Sequence, residues 1–184
     1  MDILIIQTGG TIDKCYPKHI GGYAFEFGES YASKLVKAHT LPRNVLLHCV
    51  NPFSKDSLEL TEADRWCLMR IINETSIHKI LITHGTDTII ETAQFLSLNL
   101  KKNNTKCVVL TGSFLPGVFK STDADFNVGF ALGGLLHTEK TGVFIAIQGR
   151  FFRANEVKRN TETGDYQEIL SEQDRLLWRH VIQT

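Results

Sequence analysis

A three-layer α/β fold, with a doubly wound, mainly parallel sheet and helices on both faces, is predicted by three observations. Short apolar runs alternate along the chain with longer segments whose apolar residues recur at helical spacing. The runs are apolar throughout rather than alternating, as in strands buried on both sides. No Asn-Gly or Asp-Gly pair separates them, so the connections read as crossovers rather than tight hairpins. With 184 residues, 42% of them hydrophobic, the chain suits one domain of Rossmann- or flavodoxin-like type.

Ile3-Leu4-Ile5-Ile6 is the first strand, and it runs into Thr8-Gly9-Gly10-Thr11. The glycines let the backbone turn sharply and let another molecule come close. Thr11 then stands just beyond the carboxyl end of a strand, where open α/β sheets place their ligands. An ordinary strand exit capped by Thr11 explains this stretch equally well. Residues 13–30 keep no period, and a loop of that length is either functional or poorly ordered. With Gly21-Gly22 as a hinge, it is expected to be a lid over the site near Thr11, a plain surface excursion being the alternative.

Residues 31–39 read as a short helix stopped before Pro42, and 45–50 as a second strand. Thr61, followed three positions later by Asp64, is a helix-capping pair, with Leu68, Ile71 and Ile72 on the apolar face behind it. Residues 79–83 form the third strand, followed at once by His84-Gly85-Thr86-Asp87-Thr88. Ile89, Ala93, Leu96 and Leu100 keep helical spacing, so this polar cluster sits at a helix N-terminus. Residues 106–111 are a fourth strand ending in Gly112-Ser113, 122–137 a helix, and 142–147 the last clear strand. Leu176, Leu177, Trp178 and Val181 predict a terminal amphipathic helix packed on its own domain.

Twenty basic residues balance twenty acidic ones, so no basic field points to nucleic acid or an anionic membrane. Cys15, Cys49, Cys67 and Cys107 are scattered without metal-ligand spacing and read as apolar fillers in a reducing compartment. The first apolar run is too short for a signal peptide, has no basic region before it, and nothing reaches the length of a membrane span. A cytoplasmic protein is expected.

Two strands therefore end in hydroxyl-bearing turns, at Thr11 and at Thr86-Asp87-Thr88, and a parallel sheet brings both ends to one edge. A threonine hydroxyl is a poor nucleophile until a base removes its proton. Asp87 reads equally well as a helix cap, and His84 as a hydrogen-bonded structural residue. A Gly-Gly turn before a threonine suits phosphate too, but the chain lacks a P-loop ending and a complete GxGxxG. Residue types and spacing support an enzyme-like crevice and go no further.

Together the motifs resemble the bacterial-type L-asparaginases, the asparaginase/glutaminase family. Its two threonine motifs stand here as Thr8-Gly9-Gly10-Thr11-Ile12 and Thr83-His84-Gly85-Thr86-Asp87-Thr88. Asp56-Ser57-Leu58-Glu59 resembles the family's substrate loop. Val109-Leu110-Thr111-Gly112-Ser113 with Asp123 and Asn127 resembles its fourth-strand segment, and Val157-Lys158-Arg159-Asn160-Thr161 its late lysine motif. The resemblance implies that Thr11 attacks a side-chain amide carbon to form an acyl-enzyme that water hydrolyses. A lid tyrosine would assist; Tyr16 is preferred to Tyr23 because short members carry a Thr-Ile-Asp-Lys-x-Tyr pattern. Thr86, Asp87 and Lys158 would form a second catalytic group, the lysine acting as base only when neutral. Gly10, Ser57, Thr86, Asp87 and Ser113 would contact the substrate, with Asp87 on its α-amino group and Ser57 on its α-carboxylate.

The resemblance further implies L-asparagine as the substrate, no metal, no cofactor and a homo-oligomer, dimer or tetramer. Glutamine or another small amide, and a non-catalytic amino-acid-sensing domain, are the alternatives. The chain resembles a short, single-domain branch without the family's C-terminal domain. An asparaginase-type domain is expected over residues 1–161, with an extension and short helix over 162–184. Leu58 replaces a polar contact residue of the family, and Glu59 is one methylene longer than its usual aspartate.

Overall fold

Successive residues of each parallel strand face opposite sides of the sheet, and a pair of helices closes each side. The computed structural model describes residues 1–169 apart from Ile20, Tyr23, Thr40 and Lys102. In chain order the elements begin with β1 (Asp2–Gln7), β2 (Lys14–Cys15), β3 (Glu26–Phe27), α1 (Tyr31–Ala38), β4 (Leu46–Val50), α2 (Glu62–Glu74) and β5 (Lys79–Thr83). They continue with α3 (Ile89–Asn99), β6 (Cys107–Thr111), α4 (Ala124–His137), β7 (Gly142–Ile147), β8 (Arg150–Arg153), β9 (Val157–Arg159) and β10 (Tyr166–Glu168). The main sheet has six strands in the order β4-β1-β5-β6-β7-β8, parallel except for β8.

The two-residue period of a strand distributes the core. Leu4, Ile6, Ile80, Ile82, Val108 and Leu110 pack under α2 and α3. Ile3, Ile5, Leu81, Val109, Phe144 and Ala146 pack under α1 and α4. The continuous apolar runs are thus strands buried on both faces, as expected. The capping pair is present: Asp64 N–H donates to Thr61 Oγ1, and Thr61 N–H donates to Asp64 Oδ2 at 2.8 Å.

Three features depart from the sequence reading. β8 returns antiparallel to β7 through Gln148-Gly149, whose φ angles of 52° and 71° make a tight hairpin of the primed kind. Neither Asn-Gly nor Asp-Gly marks this turn; Gln148 takes the left-handed conformation in their place. Second, β2 and β3 pair antiparallel and Gly28 N–H donates to Asp13 O, so the 14–30 loop leaves and returns through one small ladder. Two-residue strands are too short to leave a period. Third, β10 pairs with β9, and Tyr166 is buried against the α2/α3 side, where a polar tail carried no strand pattern. The terminal helix expected around Leu176 lies outside the described residues, as does Tyr23.

Candidate active site

The site forms because three parallel strands end level with one another. Gln7 is in register with Thr83, and Thr83 with Thr111, so the turns after β1, β5 and β6 emerge together. Thr8 N–H and Oγ1 both donate to Thr83 O, at 3.2 and 2.7 Å. Gly10 has φ +78°, and a Cβ placed on it would lie 2.3 Å from Gly85 N and 2.8 Å from His84 C. The two threonine-bearing turns therefore touch backbone to backbone, which only a glycine at position 10 permits. Gly85 in turn abuts Ser57, whose Cβ and Oγ a side chain there would meet at 2.6 Å.

Thr11 opens a short 3-10 turn over Thr11–Asp13 and is half-buried. Its hydroxyl makes no hydrogen bond to another described residue. Gly10 N–H donates to Lys55 O at 2.9 Å, so this residue contributes close packing rather than a free donor. Ser57 is buried at the start of a second 3-10 turn, with its carbonyl accepting from Thr88 Oγ1 at 2.7 Å. Asp56 holds that turn by accepting from Leu58 N–H and by pairing with Lys14 at 2.7 Å. The Lys14 hydrogen bond keeps the Asp56 carboxyl below its usual range. Leu58 and Glu59 are exposed.

Asp87 is not spent as a helix cap: Thr88 occupies the cap position of α3 and makes no side-chain capping bond. The half-exposed Asp87 carboxylate instead accepts from Arg159 Nη1 at 3.0 Å. Ser113 is buried, but its hydroxyl donates to Leu115 O within its own loop. That loop is carried by Asp123, which accepts from Phe114 and Leu115 N–H, and by Asn127, which donates to Gly112 O. His84 is fully buried with Nδ1 against Gly85 O, and burial pushes its pKa down to about 4. It is neutral near pH 7, as suits a structural residue.

Two expected members are solvent-facing, Lys158 on the same cleft as Thr86 and Asp87 and Tyr16 on another. Lys158 is exposed, because β9 turns Val157 into the core and Lys158 outward. It stands on the rim of an open cleft of about 570 Å³ that Thr86, Asp87, Glu91 and Arg159 also line. Tyr16 is 60% exposed, edge-on to Phe25 at 5.7 Å. It borders a different cavity, with Ile12, Asp13, Glu26 and Tyr31, which neither Thr86 nor Asp87 lines.

Three other residues bear on the site without having been expected there. Arg159 reaches Thr86 O and Asp87; Tyr166 donates its hydroxyl to Thr86 O at 2.7 Å. Asp13 is buried beneath the Thr11 turn, accepting from Tyr31 N–H at 2.8 Å and from Thr83 Oγ1 at 3.3 Å. Burial outweighs these bonds and pushes its pKa up to about 7. A charged residue two places after the nucleophile candidate was the one available signal, and only tertiary burial made it unusual.

A family model described as "Asparaginase, N-terminal" matches residues 2–175. The glutaminase-asparaginase of Acinetobacter glutaminasificans is 27% identical over 165 residues, covering 86% of this chain and 49% of that protein. The thermostable L-asparaginase from Thermococcus kodakarensis superposes with a TM-score of 0.80 at 25% identity, over 91% of this chain and 51% of that one. A probable cytoplasmic L-asparaginase from Campylobacter jejuni gives a TM-score of 0.69 at 29% identity, over 86% and 48% of the two chains. The chain thus spans about half the length of these relatives.

Proposed function

Because the chain belongs to the asparaginase family, with its N-terminal domain model matched over residues 2–175, we propose that it is an amidohydrolase converting L-asparagine to L-aspartate and ammonia. One observation carries this reading: the Thr11 and Thr86 turns lie against each other through Gly10 and Gly85 at the carboxyl edge of the sheet. That contact supports a site in which the hydroxyls of Thr11 and Thr86 and the carboxylate of Asp87 act on one substrate.

In the proposed reaction Thr11 Oγ bonds to the amide carbon and loses its proton. The C–N bond breaks, and the amine leaves as ammonia with a proton delivered to it. Water then adds to the ester and releases aspartate and Thr11. Thr86 orients the amide end, and Asp87 is the ionic partner of the substrate's α-ammonium. Ser57 and adjacent backbone donors take the α-carboxylate, while backbone N–H groups near Thr86 and Ser113 face the developing oxyanion. Glutamine is the competing substrate, and a cytoplasmic homo-oligomer is proposed as the working form. The four cysteines are all unpaired thiols, consistent with a reducing compartment.

Purified protein should release ammonia from L-asparagine faster than from L-glutamine. Thr11→Ala and Thr86→Val should each lower kcat at least a hundredfold while the circular dichroism spectrum is kept. Full turnover in both variants would refute the assigned roles. A second reading, amino-acid binding without turnover, is favoured by the guanidinium of Arg159 standing where a neutral amine was expected. Thermal stabilisation by L-asparagine with no ammonia released would select it.

A further inference from the structure

The cleft beside Thr86 contains a cation that the reaction scheme above does not use. Arg159 Nη1 donates to Thr86 O at 3.3 Å and to Asp87 Oδ1 at 3.0 Å. Its guanidinium carbon lies 5.2 Å from the centre of the Phe114 ring and 5.7 Å from that of Tyr166. The Tyr166 hydroxyl donates to the same Thr86 carbonyl, and burial holds its pKa well above the ordinary tyrosine value, so it stays a donor. Both lone pairs of that carbonyl are therefore engaged. The side chain of Arg159 is 26% exposed. This is a built clamp rather than a surface arginine folded over an acid.

We propose that Arg159 is the positioning residue of this site, holding Thr86 and Asp87 in place and supplying a permanent positive charge beside them, a role different from the base that the family resemblance implies for Lys158. The inference rests on the amide-site reading above. Its physical basis is the strand period: β9 buries Val157, so Arg159 shares the inward side and Lys158 takes the outward one. A guanidinium differs from an ammonium in a way that matters here. It keeps its proton at every pH the protein survives, so it cannot serve as a base. Held against two neighbouring rings and two acceptors, it also loses little freedom when a ligand arrives. The charge next to Thr86 is thus fixed, and any proton taken from a reacting hydroxyl must go to another group or to water.

The test uses the full chain as wild type, Lys158→Ala, Arg159→Lys and Arg159→Gln. Two readouts are taken across the pH range: ammonia release from L-asparagine, and binding of L-aspartate by titration calorimetry. Arg159→Gln should lower both kcat/KM and aspartate affinity at least tenfold, and at least fivefold more than Lys158→Ala does. Arg159→Lys should recover most of the loss near pH 7. Above that it should fall away more steeply in alkali than the wild type, as the new amine deprotonates near the ordinary lysine value of about 10 on top of the loss of the substrate's α-ammonium that both share.

Losses in Lys158→Ala equal to those in Arg159→Gln would overturn the proposal. So would an Arg159→Lys profile superimposable on that of the wild type at every pH. Should Arg159→Gln fail to fold, the Arg159→Lys and Lys158→Ala comparison decides alone. Wild-type protein that binds aspartate but releases no ammonia would sink the hydrolase reading, while the binding series still judged Arg159. Protein that does neither would overturn both.

Discussion

Two buried groups near the site titrate in opposite senses, and Asp13→Asn should separate them. Asp13 is 3% exposed, and its carboxyl is pushed from 3.8 to about 7 by burial, against the opposing pull of Tyr31 N–H, Thr83 and Gln7. Between these values the folded state binds a proton that the unfolded chain does not. Stability from this group is therefore complete at low pH and lost as pH rises toward 7. His84 is fully buried, and its pKa falls from 6.5 to about 4, mainly by desolvation. Here the unfolded chain binds the extra proton, so stability is complete above 6.5 and lost as pH falls toward 4. Each contributes about 1.4 kcal/mol per pH unit, with opposite signs, across roughly pH 4 to 6.5. The wild type should therefore hold its unfolding free energy level within about 1 kcal/mol over that window. Asp13→Asn mimics the protonated acid and removes one slope, so the variant should gain about 3 kcal/mol from the bottom of the window to its top. Asp56 and Asp64, both held below the usual range, lose their contribution only at lower pH, as it falls through their folded values. Denaturant unfolding followed by circular dichroism at a series of pH values reads the difference. A variant profile parallel to the wild type, or a wild type that itself climbs by the full amount, would refute the reasoning.

Gly10→Ala places a Cβ against Gly85 N at 2.3 Å with φ at +78°; it should cost at least about 3 kcal/mol and remove ammonia release, read by denaturant midpoint and activity together. Asp64→Ala loses its reciprocal bond with Thr61 and its 2.8 Å pair with Lys55; a loss of about 1–2 kcal/mol is expected, with Asp64→Asn recovering part of it. Tyr166→Phe takes one of two donors from the Thr86 carbonyl; stability should drop by about 1 kcal/mol, and kcat should fall more than KM changes.

The fold was largely legible. Period-two burial on both faces of β1, β5, β6 and β7 follows from unbroken apolar runs, and the start of α2 from the Thr61–Asp64 spacing. The approach of the turns that carry Thr11 and Thr86 was legible too, because parallel strands must end on one edge and Gly10 permits contact with Gly85 there. The hairpin at Gln148-Gly149 and the β9–β10 pairing were not. In a three-residue strand no alternation can be counted, so nothing along the chain says which of Lys158 and Arg159 faces inward.

Residue chemistry and order along the chain thus determined the family, the layered sheet and the pair of threonine turns, since these depend on local pattern and on the topology that pattern allows. Only the folded structure decided that Arg159 and Tyr166 clamp Thr86, that Lys158 faces outward on the cleft's rim while Tyr16 lines another cavity, and that Asp13 is desolvated. The reason is physical: side-chain facing and burial are set by contacts between segments tens of residues apart, and a one-residue change of facing exchanges a titratable amine for a fixed charge.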